Sequence, residues 1–232
     1  MNHYADFPQL SKQWFEARLG CVTSSRIADA ISFLSRKSKN GGPGDETAAR
    51  HNLRYELAAE LMTGNNAEHY VSKWMEQGRE REPLARAAYE VETGVFCQQI
   101  GFAFHPTIKL AGASPDALVG NDGLAEFKAP KTETHLAYLY AGVIPEEYRD
   151  QMMWQIACCE REWNEFASYD PSMKDKRLRL FVAPRMYRDD NRIDFMNAQV
   201  EKFNEEVQEL IERIDPEYIE KQLRDSLQMV NK

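Results

Sequence analysis

The spacing of apolar positions changes several times along the chain, and the changes lay out an alternating order of helices and strands. Residues 11–19 read as a short helix closed by Gly20, and a second short helix follows Thr23-Ser24-Ser25. A helical pattern over 45–62 stops at Gly64, and another over 72–93 is expected to break near Pro83. Strands are predicted near 95–105, 108–119 and 124–128, with Asn121-Asp122-Gly123 as the turn between the last two. Helices at 133–140 and 145–160 follow, then strands at 165–169 and 177–183, and helical pattern over 194–215 and again after Pro216. No repeat and no long linker divides the 232 residues. The expectation is an α/β fold in one domain, a central mixed β-sheet flanked by helices.

The predicted hairpin carries the candidate chemistry. Ser114-Pro115-Asp116 precedes the turn, and Glu126-Phe127-Lys128 follows it, ten positions on from Asp116. A turn centred on Asp122 sets Asp116 opposite Lys128, with Glu126 as the diagonal neighbour. Side chains alternate along a strand, so Glu126 and Lys128 share one face while Ala125 and Phe127 take the other. Carboxylates brought close repel unless a cation lies between them. All-oxygen ligation suits Mg²⁺, which keeps coordination positions for water and substrate phosphate. Asp116 and Glu126 are the candidate metal ligands, with the backbone carbonyl of Phe127 as a further one. Lys128 either positions the attacking water as a cation or, if the site lowers its pKa, deprotonates it. Taken alone, a Glu-x-Lys triplet on a strand is more often a solvated face; the Pro-Asp dipeptide, the hairpin and the spacing shift that balance.

Charge complicates the picture. The net charge of −8 is unfavourable for a protein that grips phosphate. Residues 189–232 hold six Lys/Arg against twelve Asp/Glu, whereas residues 1–188 hold 23 against 25. The acidity is thus concentrated in a helical C-terminal segment, leaving a near-neutral body. Basic clusters lie at Arg36-Lys37-Ser38-Lys39, running into a glycine-rich stretch, and at Lys174, Lys176, Arg177 and Arg179. No apolar run is long enough to cross a bilayer, and the first residues lack a signal-peptide pattern. Four cysteines without a Cys-x-x-Cys spacing read as buried thiols of a cytoplasmic protein. The five histidines show no zinc spacing.

Asp116, Glu126 and Lys128 match the PD-(D/E)XK nuclease signature. Around them, Trp14 to Ser25, Gly78 with Glu82, the run from Ser114 to Pro130, Tyr148 with Gln151, and Tyr169-Asp170-Pro171-Ser172-Met173 resemble the phage lambda exonuclease family, the YqaJ-like viral recombinases. The resemblance implies a restriction-endonuclease-like core and a Mg²⁺-dependent 5′→3′ exonuclease. Such an enzyme digests one strand of linear double-stranded DNA from 5′-phosphorylated ends and leaves 3′ tails for phage-type recombination. It also implies two metal ions, with Mn²⁺ as a substitute, a ring-shaped homotrimer, and a single-strand annealing protein as partner. It makes Asp116, Glu126 and Glu82 metal-site acids and Lys128 the water-activating lysine. Arg18, Ser25, Ser114 and Gln151 become a 5′-phosphate pocket, and Met75 a strand-separating wedge.

The plainer readings stand beside these. Arg18 suits the last turn of a helix, Ser25 an N-cap, Gln151 a backbone contact and Met75 core filling. Arg36 and Lys37 are candidate DNA contacts or a solvated loop. An endonuclease of the same superfamily and a non-catalytic DNA-end binder are the alternative functions.

Overall fold

The structure is a computed structural model describing residues 4–5, 7–37, 41–66, 73–215 and 217, with the side chains of 73–79 excepted. The helix expected after Pro216, the side chain of Met75, and Ser38 and Lys39 of the basic loop lie outside the described residues.

The chain forms two sheets separated by a buried helix. Strands β1 (Tyr4–Ala5), β2 (Val22–Thr23), β4 (Phe102–Phe104) and β5 (Ala111–Ala113) make the first, in the order β1-β4-β5-β2. Strands β3 (Cys97–Gln98), β6 (Ala117–Val119), β7 (Gly123–Lys128), β8 (Trp163–Tyr169) and β10 (Met186–Tyr187) make the second, in the order β10-β8-β7-β6-β3; β9 (Leu180–Val182) pairs with the far end of β8. Pairing is mixed, parallel for β7 with β8 and for β2 with β5 and antiparallel elsewhere. The expected mixed sheet flanked by helices is therefore present.

Around the sheets lie α1 (Lys12–Ala17), α2 (Ile27–Ala30), α3 (Ala48–Thr63), α4 (Lys73–Thr93), α5 (Thr132–Ala141), α6 (Glu146–Cys159) and α7 (Asp190–Ile214). Every residue of α6 from Met152 to Cys159 is buried. This helix meets β4 and β5 of one sheet and β7 and β8 of the other, so from Met152 onward it has no solvated face. By contrast, α7 buries only the stripe Ile193, Met196, Val200, Phe203, Val207 and Ile211. Glu201, Glu205, Glu209 and Glu212 face outward, as the acidic C-terminal segment implies, while Glu206 pairs with Arg50 and Arg54 of α3. Among the described residues no helix is long and apolar enough to cross a membrane.

Three expectations need correction. The strands predicted over 95–105 and 108–119 are each two strands in different sheets. One crossing runs through Ile100-Gly101 and the other through Ser114-Pro115-Asp116. Proline cannot donate to a ladder, and at Gly101 an added Cβ would meet the Phe7 carbonyl at 2.0 Å. The Gln9 amide ties the crossings together, donating to the Ile100 and Pro115 carbonyls at 3.1 and 3.0 Å.

Helix α4 also runs unbroken through Pro83. Proline forfeits one hydrogen bond there, while Ala85 and Tyr89 are buried against the second sheet. Packing outweighs the local preference, and Glu82 sits within the helix.

The third correction is register. Ala117 pairs with Ala125, Leu118 with Leu124 and Val119 with Gly123, which centres the turn on Asn121. Continued one step, this register sets Asp116 across from Glu126, with Lys128 as the diagonal neighbour. Gly120 supplies the left-handed turn residue at φ +57, whereas Gly123 lies in the strand because a Cβ there would stand 2.1 Å from the Trp163 ring. Gly123 thus serves close packing, while Asp122 remains in the turn. Gly123→Ala is expected to cost about 1–3 kcal/mol through overpacking. Thermal melting checks this, at about 2–4 °C per kcal/mol for this size.

Candidate active site

Strand β7 presents two faces to two different cores. Leu118, Leu124 and Phe166 belong to the core around α6, while Ala125, Phe127 and Ala167 pack with Ala85 and Tyr89 of α4. Glu126 and Lys128 therefore share the α6 face, and Phe127 anchors the strand from behind, 5.4 Å from the Tyr89 ring. The Tyr89 hydroxyl donates to Glu165 on β8. That bond fixes α4, and with it Glu82, against the sheet.

Glu126 is buried and fully engaged. Gln151 donates to Oε1 and Gln155 to Oε2, each at 2.6 Å, and Lys128 Nζ donates to Oε1 as well. Gln155 is oriented in turn by Asn164, whose amide donates to Gln155 Oε1 at 2.8 Å. Asp116 is held differently. Its Oδ2 accepts the Phe127 backbone N–H at 2.6 Å, and its other oxygen has no hydrogen bond among the described residues. Burial, then the nearby Glu126 charge, push the Asp116 carboxyl well above the usual carboxylate range; Glu82 adds to the effect. A carboxylate so disfavoured calls for a cation.

Lys128 supplies part of that charge. Burial alone would lower its pKa, but the Glu126 and Asp116 charges and the hydrogen bond to Glu126 outweigh burial and raise it. Its ammonium lies 5.1 Å from the centre of the Tyr148 ring. Of the two roles open to Lys128, this environment favours the charged one, a cation that positions and stabilises rather than a base.

A divalent ion fits this donor set. Two converging carboxylates, one with an open oxygen, match a hard cation that keeps several waters. Among the described residues no three His, Cys, Asp or Glu side chains gather closely enough to form a metal cage. Glu82 accordingly acts on Asp116 through space and does not complete a three-carboxylate cluster.

Two residues before Asp116, Ser114 meets a cation. Arg18, at the C-terminal cap of α1, donates from Nη1 to Ser114 Oγ at 3.2 Å, and its guanidinium stacks 4.1 Å from the centre of the Trp14 ring. Trp14 Nε1 also donates to Ser114 Oγ, at 2.9 Å. Among the described residues Arg18 forms no salt bridge. Burial and, after it, the charge of Arg26 pull Arg18 down to about 10. It stays charged at neutral pH, and a half-buried cation with no salt bridge among the described residues attracts an anion.

The remaining predicted residues are placed variously. Ser25 is exposed, its hydroxyl 3.2 Å from that of Thr23. Gln151 engages Glu126 rather than Ser114. Arg36 and Lys37 are exposed. Met75 lies on α4 with its side chain outside the described residues. All four cysteines are free and buried.

A family model for the YqaJ-like viral recombinase domain matches residues 13–162, which span α1 through the whole hairpin site to the start of β8. The chain belongs to the YqaJ-like viral recombinase family. Solved structures agree with this membership. LHK-Exo, an alkaline exonuclease from Laribacter hongkongensis, superposes with a TM-score of 0.78 at 38% identity, covering 90% of this chain and 99% of that one. LHK-Exo in complex with dAMP gives 0.79 at 37% identity over the same shares. A phage-related exonuclease from Haemophilus somnus shares the fold at 17% identity, with a TM-score of 0.61 over 84% of this chain and 96% of that one. No curated protein sequence matches. Membership of the YqaJ-like family supports a nuclease function.

Sequence reasoning passed over three members of this YqaJ-like site. Trp14 under Arg18 entered only as the first residue of a matching motif with no role assigned, and Gln155 on Glu126 and Asn164 behind Gln155 carry no motif of their own. A glutamine on a helix that is otherwise wholly apolar from Met152 to Cys159 was the available signal for Gln155, because such a group must find a partner.

Proposed function

We propose that the protein is a Mg²⁺-dependent 5′→3′ exonuclease that digests one strand of linear double-stranded DNA from phosphorylated 5′ ends. One observation carries this reading. The polarised Asp116–Glu126–Lys128 group and the Arg18 cation, which forms no salt bridge among the described residues, meet on the single segment Ser114-Pro115-Asp116. A phosphodiester near the carboxylates and a terminal phosphate near Arg18 are two parts of one DNA end.

Asp116, Glu126 and the Phe127 carbonyl would hold the metal, with Glu82 adding negative charge from α4. The ion when bound supplies Lewis-acid polarisation of the phosphodiester and a more acidic water. Lys128 stays protonated beside Glu126, orients the attacking water and stabilises charge developing on the phosphoryl oxygens. Gln151 and Gln155 keep Glu126 in one rotamer, so its carboxylate is fixed before substrate arrives. Arg18 and Ser114 receive the 5′-phosphate, with Ser25 and Gln151 as the outer members of that pocket. Trp14 holds Arg18 flat, Met75 serves as the wedge, and Arg36 and Lys37 contact the duplex backbone.

The near-neutral body gives modest attraction to DNA, which suits enclosure of the duplex by a homotrimeric ring rather than tight electrostatic grip. The 3′ tails left behind are substrates for a single-strand annealing protein in the cytoplasm of an infected cell. A second ion and Mn²⁺ substitution belong to the same proposal.

Digestion of end-labelled linear duplex with 5′-phosphate or 5′-hydroxyl ends, beside a closed circle, tests the reading. Phosphorylated linear ends should be consumed fastest and the circle spared. Rapid cutting of the circle would replace this reading with an endonuclease, and binding of ends without cleavage would replace it with an end-binding subunit. Arg18→Gln should lower the rate on phosphorylated ends about tenfold or more, the loss of one charge-assisted contact. The rate on hydroxyl ends should change little.

A further inference from the structure

Glu60 lies on the buried side of α3 with Leu53 and Leu57, and it is 1% exposed. A carboxylate so deep in the protein is costly unless cations and N–H groups surround it. Its two oxygens reach two different elements. Oε2 accepts the Gly20 N–H at 2.8 Å, and Oε1 accepts Arg26 Nη2 at 2.9 Å. Arg26 Nη2 also donates to Glu56, one turn earlier on α3, at 2.6 Å.

Those two elements carry the residues assigned above to a terminal phosphate. Gly20 follows Arg18 by two positions and leads the chain out of α1 at φ +66. A Cβ there would stand 2.4 Å from the Leu61 side chain, so this turn lies directly on α3. The Cys21 N–H closes the turn on the Arg18 carbonyl at 3.0 Å. On the other side Arg26 follows Ser25, and its N–H bonds the Thr23 carbonyl at 2.8 Å. Between them runs β2, paired in parallel with β5, whose end leads to Ser114. Glu60 therefore holds both ends of the segment that sets Arg18 against Ser114.

The charges are arranged to the same end. Arg26 stands near enough to Arg18 to disfavour its charged form, and Glu60 near enough to favour it. A carboxylate that takes up the charge of Arg26 leaves Arg18 as the cation presented at Ser114.

We propose that Glu60 is a positioning residue for the 5′-phosphate clamp: it holds the Gly20 turn and neutralises Arg26, and so keeps Arg18 on Ser114. The inference rests on the reading of Arg18 as the phosphate contact. Glu60 itself meets no substrate, since an acid against a phosphate would repel it. The competing account is a fold contact that ties α2 to α3 and nothing more. That account predicts equal effects on every substrate.

The test measures kcat and KM for wild type, Glu60→Gln, Arg18→Gln and the double variant on linear duplexes with 5′-phosphate or 5′-hydroxyl ends. Glu60→Gln should raise KM on phosphorylated ends about fivefold, the scale of one displaced hydrogen bond. Its kcat, and its KM on hydroxyl ends, should change less than about twofold. In the Arg18→Gln background the same change should leave the ratio of the two ends where it was, because the effect passes through Arg18. Arg26→Gln also strips Glu60 of a cation and should lower the preference for phosphorylated ends; it carries the test if Glu60→Gln does not fold. An end preference equal to wild type in these variants would overturn the proposal, whether the rates hold or fall together. So would an equal loss with and without Arg18. A wild type that digests both ends alike would overturn the phosphate-clamp reading, one that digests neither would overturn the nuclease reading, and this inference falls with either.

Discussion

Asp116→Asn is expected to raise the melting temperature of the metal-free protein while removing its activity. Burial and the Glu126 charge hold the Asp116 carboxyl well above its usual range, so ionising it costs folding free energy at neutral pH. The sign follows from linkage. A folded-state pKa above the unfolded value means that the native state binds the proton more tightly. Stability from this group is therefore full below the unfolded value and lost as pH rises toward the folded one. Asparagine keeps an oxygen for the Phe127 N–H and sets a neutral amide beside Glu126. The gain should be a few degrees, at about 2–4 °C per kcal/mol. It should shrink at low pH, where Asp116 is protonated in wild type, and shrink again when Mg²⁺ is added to wild type. Activity should fall at least about a hundredfold, because a ligand to the proposed charge-stabilising ion is gone. Differential scanning fluorimetry with and without Mg²⁺, run beside a nuclease assay, reads all of these effects.

Glu126→Gln should lose as much activity and change stability in the opposite direction. Both oxygens of Glu126 accept hydrogen bonds, from Gln151 and Lys128 on one and Gln155 on the other. An amide presents two donors to a site built of donors, so at least one buried donor pair faces another. Leaving a buried polar group without a partner costs about 1–3 kcal/mol, which at this chain length lowers the melting temperature by about 2–4 °C per kcal/mol. Two isosteric changes at neighbouring carboxylates, stabilising in one case and destabilising in the other, separate a site organised around charge from one organised around hydrogen bonds. A fall in both melting temperatures would contradict the strained state assigned to Asp116.

How much of this was legible in the sequence depended on how local each cause is. The alternation that puts Glu126 and Lys128 on one face and Phe127 on the other is a property of the strand itself, and it is present. The turn centre was misplaced by one residue, and the pairing register by two, because the role of Gly123 is set by Trp163, forty positions away. Nothing near Asp122-Gly123 announces that the glycine serves a ring rather than a turn. The division of 95–105 and 108–119 between two sheets had local hints in Gly101 and Pro115, but their consequence depends on where Gln9 and Phe7 dock. Pro83 gave the opposite lesson. Its local preference is clear, and packing of Ala85 and Tyr89 overrides it. Two partners of Glu126 came from α6, and the residue that orients one of them from β8, which no spacing in the hairpin could reveal. Only the third dimension supplied Gln155 and Asn164.

The most direct test of the central claim is nucleotide release from 5′-phosphorylated linear duplex DNA by wild type and Asp116→Asn, each with Mg²⁺ or with a chelator. Wild type with Mg²⁺ should release nucleotides from the phosphorylated ends, and the other three combinations should release almost none. Undiminished release by Asp116→Asn, or by wild type in the chelator, would contradict the assignment of Asp116, Glu126 and Lys128 as a metal-dependent nuclease centre.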